Sequence, residues 1–300
     1  MEKRQLGRTG THITVLGFGA MELKGMEEKE ASVLLNRLLD SGINYIDTSP
    51  CYGPSEQYIG NAISRRRIEY FLASKCGCNV TTGKDHSYDR KTISDGIENS
   101  LKLMKTDYLD VVQLHNTLPK DLPGGKYDDA IQTMLDFKKA GKIRSTGISF
   151  KNGKAGVDPM APDKYGFICI KEFMDWGVFD VMQIVYGCMP RSSELAISKA
   201  SEKGIGLVAR GVVNNYKAIY NELYEKAGLG ELCDEGEDKN TFFIRYAMSH
   251  PDLSTMIIGT SKLDHLAENI KSADKGKLPD DIYAETKKRL DSVGVTAEII

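Results

Sequence analysis

Short apolar runs rich in β-forming residues alternate with helix-like segments along most of the chain. Strand–helix alternation predicts right-handed βαβ units and a parallel sheet. Eight runs are present, and each leads into a polar or small residue: Leu16–Gly19, Ile43–Asp47, Phe71–Lys75, Leu109–His115, Lys142–Ser149, Asp180–Gln183, Ile205–Arg210 and Thr255–Gly259. Eight repeats close a barrel better than they fill an open sheet, so the sequence predicts the α/β class and a (β/α)₈ TIM barrel.

The segments between these runs carry apolar residues at helical spacing, as in the stripe from Ala31 to Leu39 that ends before Gly42. The other segments cover about 56–66, 91–105, 127–140, 168–176, 192–203, 240–249 and 262–271. Two elements lie outside the repeat: an N-terminal β-hairpin over 2–14, suited to cover the bottom of a barrel, and an extra C-terminal helix over Asp280–Ser292. No change of pattern marks a second domain, so we expect residues 1–300 to form one.

Three connections are long, at about 116–126, 150–166 and 211–239, and all follow strand ends on one face of the predicted barrel. Long loops in a compact domain are usually functional or disordered. The last one carries a run of acidic residues between Glu231 and Asp238. We interpret that run as a solvated, mobile loop.

The charge balance excludes some classes of function. Lys and Arg total 40 and Asp and Glu total 42, a net charge of −2, which argues against a nucleic-acid binder with a broad basic face. The first residues have no apolar core of a secretory signal, and no apolar run approaches the length of a membrane span. We therefore expect a cytoplasmic protein with neither nucleic-acid nor membrane partners.

The six cysteines are scattered, unlike the framework of a small secreted protein. Cys76 and Cys78 alone lie close together, as Cys-Gly-Cys, with His86 as the nearest further metal-binding side chain. A metal site normally combines a CxxC-like spacing with a second ligand pair. We therefore predict reduced thiols and no metal.

Chemistry-bearing residues follow three successive predicted strands, at Asp47, Lys75 and His115, and Tyr52 lies shortly after the first. The carboxyl ends of barrel strands converge on one mouth, where active sites lie. An adjacent ammonium lowers the pKa of a phenol from its usual value of about 10. A paired carboxylate keeps that ammonium charged, and an imidazole can hydrogen-bond the same reacting oxygen. The set predicts a tyrosine acid/base acting on a carbonyl or alcohol.

Each of these residues also has a purely structural explanation. A lysine beside an aspartate is often a structural ion pair, a histidine after a strand is often a core residue, and Tyr52 is one of 14 tyrosines. Their joint placement at consecutive strand ends favours the chemical interpretation.

The chain resembles the aldo-keto reductase superfamily over about residues 3 to 271. The motifs that carry the resemblance are Leu6-Gly7-Arg8-Thr9-Gly10, Leu16-Gly17-Phe18-Gly19, Asn44-Tyr45-Ile46-Asp47-Thr48-Ser49, Cys51-Tyr52-Gly53, Glu56, Ile59-Gly60, Ser74-Lys75 and Gln113-Leu114-His115. The resemblance implies that Tyr52 is the general acid/base and that Lys75, paired with Asp47, lowers its pKa. It implies that His115 orients the substrate carbonyl.

A dinucleotide cofactor is also implied, although no GxGxxG turn links a strand to a helix here. On physical grounds alone, Gly259-Thr260-Ser261-Lys262 before a helix is either an anion site or a plain helix cap with a solvated lysine. The resemblance makes it the 2′-phosphate site and favours NADPH over NADH. The other cofactor contacts that it implies are Ala20, Met21, Ser149, Gln183, Arg210, Gly211, His265, Glu268 and Asn269.

Several residues depart from the family pattern. His265 stands where many members have an arginine near the 2′-phosphate, and Arg210 stands where many stack a tyrosine on the nicotinamide. Asn116 replaces a frequent tryptophan after His115, and we expect it to line the substrate pocket with Met21 and Tyr186.

The function implied is an NAD(P)H-dependent reductase of an aldehyde, ketone or sugar carbonyl, with a small-molecule partner. Two alternatives stay open: a cofactor-sensing binding subunit with little turnover, and an enzyme that works mainly as an alcohol or sugar dehydrogenase. The sequence leaves the substrate and the oligomeric state open.

Overall fold

The computed structural model describes residues 1–79, 86–150, 164–213 and 218–297. Two short antiparallel strands, β1 (Lys3–Gln5) and β2 (His12–Thr14), precede a closed barrel of eight parallel strands. The barrel strands are β3 (Leu16–Gly19), β4 (Tyr45–Asp47), β5 (Phe71–Cys76), β6 (Leu109–Thr117), β7 (Ile143–Phe150), β8 (Val181–Val185), β9 (Gly206–Arg210) and β10 (Thr255–Ile258). They pair in chain order, and β10 closes on β3. The predicted (β/α)₈ barrel is confirmed.

The helices surround this barrel, and each predicted helical segment is present within a few residues of its expected bounds. Their bounds are α1 (Glu28–Asp40), α2 (Ser55–Ile63), α3 (Arg90–Leu103), α4 (Asp129–Lys139), α5 (Lys164–Trp176), α6 (Glu194–Glu202), α7 (Ala218–Lys226), α8 (Lys239–Met248), α9 (Leu263–Asp274) and α10 (Asp280–Ser292). The extra helix α10 has the predicted bounds. No helix in these ranges is both long and apolar enough to cross a membrane.

Alternation along the strands separates two apolar layers and positions the polar mouth. Side chains of a strand point alternately to its two faces. In β6, Val111 joins the small cluster inside the barrel, whereas Val112 joins the large cluster between strands and helices. The same alternation turns Gln113 and His115 inward above Val111. In β4 and β5 it turns Asp47 and Lys75 inward above Tyr45 and Ala73, so polar groups cover an apolar floor.

The N-terminal hairpin closes the bottom of the barrel, as expected. Leu6 and Ile13 are fully buried and belong to the cluster inside the barrel. The Arg8 amide donates to Gly204 O at 2.6 Å, and its guanidinium donates to Asp180 Oδ1 at 2.8 Å. Both partners precede the strands β9 and β8, so the hairpin sits at the end opposite the mouth.

Gly7 provides a test of this closure. Its φ of +48° is left-handed, and a Cβ there would lie 2.2 Å from Gly206 N, whereas Gly10, with φ +73°, has open space around it. We expect Gly10→Ala to cost about 1–2 kcal/mol for the backbone conformation alone. Gly7→Ala is expected to cost about 1–3 kcal/mol more, because it adds a steric clash. Urea denaturation of both variants measures the difference, and equal losses would contradict a tight fit of the hairpin.

The acidic run before α8 is largely exposed to solvent, as the sequence predicts, but ion pairs and a helix cap hold several of its residues. Asp234 and Glu237 form ion pairs with the buried Arg245 at 2.6 and 2.8 Å, and Glu231 pairs with Arg289 at 2.8 Å. Asp238 caps α8 through the amides of two following residues. The predicted loop also contains α7 and a 3-10 turn over Leu229–Leu232. Arg289 lies on the distant helix α10 and Arg245 lies within α8, so the composition of the acidic run by itself does not indicate either partner. Most of the predicted 150–166 loop, and residues 214–217, lie outside the described residues.

Candidate active site

A buried ion pair forms the base of the barrel mouth. The Lys75 Nζ atom lies 2.5 Å from Asp47 Oδ2 and donates to Thr48 O at 2.9 Å. Both charged side chains are almost completely buried, with 0% and 2% of their surface exposed. A buried ion pair is tolerated only when further hydrogen bonds satisfy its remaining atoms.

Those further hydrogen bonds come from amide side chains on two other strands. The Asp47 Oδ1 atom accepts from Gln113 Nε2 at 3.0 Å and from Gln183 Nε2 at 2.8 Å. Gln183 Oε1 in turn accepts from Ser149 Oγ at 3.0 Å. The strand register makes this network possible, because Lys75 pairs with Gln113 and Ser149 pairs with Gln183. The carboxylate of Asp47 is therefore fixed from several strands.

Gln113 is a site residue without a predicted role, although the sequence contains a signal for it. It lies two residues before His115 on one strand and therefore points to the same face. The alternation of side chains along β6 therefore indicates that the Gln113 amide lies beside the Lys75–Asp47 ion pair.

Tyr52 lies next to the lysine, in the turn that follows β4. The Lys75 Nζ atom is 5.1 Å from the centroid of the Tyr52 ring. Burial of the phenol raises the pKa of Tyr52, while the charges of Lys75 and Arg210 lower it in part. The pKa of Tyr52 is raised overall, whereas the sequence predicts that it is lowered. The loss of solvation of the phenolate outweighs the two cations. Tyr52 is thus protonated at neutral pH, the state that a proton donor requires.

The lysine and the histidine differ in protonation state. Burial works against the charged form of Lys75, but the charge of Asp47 and its hydrogen bond to the ammonium favour that form, and the pKa of Lys75 is raised overall. Burial lowers the pKa of His115 to about 4, so its imidazole is neutral at neutral pH. The His115 ring lies edge-on to Tyr52, with 6.2 Å between the ring centroids. The structure therefore brings the four predicted catalytic residues together, with one cation, one anion and two neutral groups.

Two of the predicted nicotinamide contacts, Ser149 and Gln183, belong to this network. Arg210 ends β9 half-buried, and Gly211 follows it with a left-handed φ of +70°. Ala20 is buried after β3, and Met21 beside it is 43% exposed. This placement gives the mouth both buried amide groups and an accessible cation.

The remaining predicted cofactor residues lie around the N-terminus of α9. Thr260 Oγ1 accepts from the Lys262 amide at 3.0 Å, and Lys262 occupies the helix N-cap without a side-chain cap. Gly259 has no room for a side chain, because a Cβ would lie 2.9 Å from Gly19 O. The predicted residues Ser261, Lys262, His265, Glu268 and Asn269 are exposed or partly exposed along this turn and the first turns of the helix, as are Leu263, Asp264 and Ala267. A helix N-terminus with an exposed lysine suits a phosphate, so the residues present fit a dinucleotide.

The three residues predicted to line the substrate pocket differ in exposure and in the residues that they contact. Met21 is exposed near the mouth, and Asn116, with a left-handed φ of +55°, lies 3.5 Å from His86 Nε2 through its Nδ2 atom. Tyr186 does not join them. It is fully buried, and its hydroxyl lies 3.3 Å from the Tyr283 hydroxyl on α10.

Glu56 is a second buried carboxyl, on the outer face of β5. It accepts from Ser74 Oγ at 2.6 Å, and burial raises its pKa to about 7. Because an unfolded glutamate has a pKa of about 4.3, stability is lost as the pH rises from there through 7. Glu56→Gln keeps the acceptor for Ser74 and removes the titration. We expect the variant to match the wild type near pH 4 and to exceed its free energy of unfolding by about 2–3 kcal/mol at pH 8.

Urea denaturation across this pH range tests the Glu56 prediction, with the exposed Glu235→Gln as the matched control. The control should leave the pH dependence unchanged. A constant offset between Glu56→Gln and the wild type at every pH would contradict a raised pKa.

Comparison with known proteins identifies relatives over nearly the full length. A family model described as the aldo/keto reductase family matches residues 15–291. The chain is 28% identical to the uncharacterized oxidoreductase YqkF of Bacillus subtilis (strain 168), over 94% of each chain. It is 26% identical to L-galactose dehydrogenase of Arabidopsis thaliana, over 90% of this chain and 87% of that one.

A solved structure shares the fold as well. The holo form of aldo-keto reductase AKR11C1 from Bacillus halodurans aligns with a TM-score of 0.80 at 25% identity. The alignment covers 100% of this chain and 98% of that one.

Proposed function

Because the chain belongs to the aldo/keto reductase family, whose members are oxidoreductases that use nicotinamide cofactors, we propose that it reduces a carbonyl with NADPH and that Tyr52 is the general acid. The substrate is an aldehyde, a ketone or a sugar. One observation carries the proposal: a protonated tyrosine and a neutral imidazole lie beside a buried Lys–Asp pair at the mouth of the barrel.

Each residue of the site has a separate role in the proposed reaction. When bound, the nicotinamide cofactor would supply the hydride that the carbonyl carbon receives. Tyr52 gives its proton to the carbonyl oxygen, which becomes the hydroxyl of the product alcohol. The phenolate left behind is stabilised by the ammonium of Lys75, which Asp47 holds in place. His115, being neutral, can donate a hydrogen bond that orients the carbonyl before transfer.

The test is consumption of NADPH with a panel of aldehydes, ketones and sugars, with the alcohol product identified. Turnover with at least one class supports the proposal. Tight cofactor binding without turnover on the whole panel would favour the cofactor-sensing subunit instead. Because the chain is similar to an L-galactose dehydrogenase, the sugar substrates should also be assayed for oxidation, with NADP⁺ as the cofactor and the alcohol as the substrate.

A preference for NADPH requires a contact to its extra phosphate. We expect Lys262→Met to weaken NADPH binding about tenfold, since hydrogen bonds to charged groups contribute about 1.5–3 kcal/mol. NADH binding should change less than twofold. Fluorescence titration measures both, and Lys271→Met, an exposed lysine farther along α9, is the control. An equal loss for the two cofactors would contradict a 2′-phosphate site at Lys262.

A further inference from the structure

Beside Tyr52 lies a cluster of two thiols and two imidazoles, formed by Cys51, Cys78, His86 and His115. One ligand atom from each of the four residues lies within 4.8 Å of those of the other three. Cys78 Sγ is 3.0 Å from His115 Nδ1, and the two imidazole rings stand nearly perpendicular with 5.1 Å between their centroids. The proposed reductase function uses only one of these four residues, His115.

The backbone holds the cluster from three separate parts of the barrel mouth. Cys51 follows β4, and its amide donates to Ser49 Oγ at 3.2 Å. Cys78 follows β5 and forms an isolated antiparallel bridge with His86, which brings the imidazole back over the thiol. The Tyr88 hydroxyl donates to His115 O at 2.7 Å and ties the chain after His86 to the end of β6. These contacts therefore hold the cluster from the ends of β4, β5 and β6.

The chemistry of this set is that of a tetrahedral metal site. Two thiolates and two imidazoles are a common ligand set for Zn²⁺, with bonds of about 2.0–2.3 Å. Such bonds place neighbouring ligand atoms about 3.3–3.8 Å apart, so small side-chain rotations bring the cluster to coordination distances. Cys51 and His86 are partly exposed, which gives an ion access from solvent, whereas Cys78 and His115 are buried.

We propose that Cys51, Cys78, His86 and His115 form a four-ligand Zn²⁺ site next to the catalytic tyrosine. Four protein ligands close the coordination sphere, which is typical of a structural site rather than of a site that activates water. Coordination through Nδ1 of His115 leaves its ring proton on Nε2, so the metal fixes the tautomer. The sequence predicts no metal, because these residues do not follow a CxxC spacing, and only the fold brings the four of them together.

Measurements of metal content and metal affinity, which need no enzyme assay, test this site. The full-length protein, purified without added chelator, should contain about one Zn²⁺ per chain by elemental analysis. Cobalt replacing the zinc should give the absorption of a tetrahedral site with thiolate ligands. In competition with a chromogenic chelator, Cys78→Ser and His86→Gln should each weaken Zn²⁺ binding roughly 100-fold.

The controls are a thiol and an imidazole away from the cluster. Cys233→Ser, near Tyr224, and His12→Gln, exposed on β2, should keep wild-type affinity. Because His86 is only partly buried, its variant should fold even if Cys78→Ser does not. Failure of the wild-type protein to bind added Zn²⁺ stoichiometrically would overturn the proposal. So would unchanged affinity in His86→Gln, or a Cys51–Cys78 disulfide in freshly purified protein.

Discussion

Tyr52→Phe is expected to lower kcat for carbonyl reduction about 10²–10⁴-fold, the usual contribution of a positioned proton donor. The ring and its packing against Lys75 remain, so the variant loses only the transferable proton. NADPH binding, measured by fluorescence, should stay within twofold of the wild type. Steady-state assays on the best substrate of the panel measure the effect.

Tyr58→Phe is the matched control for this prediction. Its hydroxyl donates to Met26 O at 3.3 Å on the outer side of the same βα unit, away from the lysine. That variant should keep at least half of the wild-type kcat. Similar losses in both variants would indicate a packing effect of lost hydroxyls and contradict the assignment of Tyr52 as the acid.

Lys75→Met is expected to lower the free energy of unfolding by about 3–5 kcal/mol, because it leaves the Asp47 charge buried without its cation. It should also abolish most turnover, since the phenolate of Tyr52 loses its nearest positive charge. Urea denaturation and steady-state kinetics measure the two effects. The exposed pair Lys91–Asp95 supplies the contrast, because Lys91→Met should leave the free energy of unfolding nearly unchanged.

A double variant separates stability from chemistry. Asp47→Asn keeps an acceptor for Gln113 and Gln183 and removes the negative charge. Combined with Lys75→Met, it should recover most of the lost stability, since removing both partners of a buried pair is nearly neutral. Turnover should stay low. If the double variant were as unstable as Lys75→Met alone, the charge of Asp47 would not explain the destabilisation.

The architecture and the catalytic set followed from local patterns. Alternating runs predicted the barrel strands, and the position of Asp47, Lys75 and His115 at strand ends predicted their convergence. These inferences succeed because strand periodicity and barrel closure fix where side chains point.

What the sequence did not reveal depends on contacts between distant segments. The direction of the Tyr52 pKa depends on how much burial opposes two cations. Tyr186 packs against Tyr283 rather than lining a pocket because α10 folds over it. Glu231 is held by Arg289 on α10, and Cys51 meets His86 only through the closed barrel. No local rule encodes such pairs.

The N-terminal hairpin is bound by residues far from it in the chain. Arg4 donates to Met248 O at 2.6 Å and to Leu253 O at 2.9 Å, so its partners are synthesised 244 and 249 residues after it. At about 5–20 residues per second, the hairpin waits roughly 10–50 s for these carbonyls to emerge from the ribosome. During that interval Leu6 and Ile13 have no interior to enter. The nascent chain therefore exposes these two apolar side chains until residues 248–253 have been made.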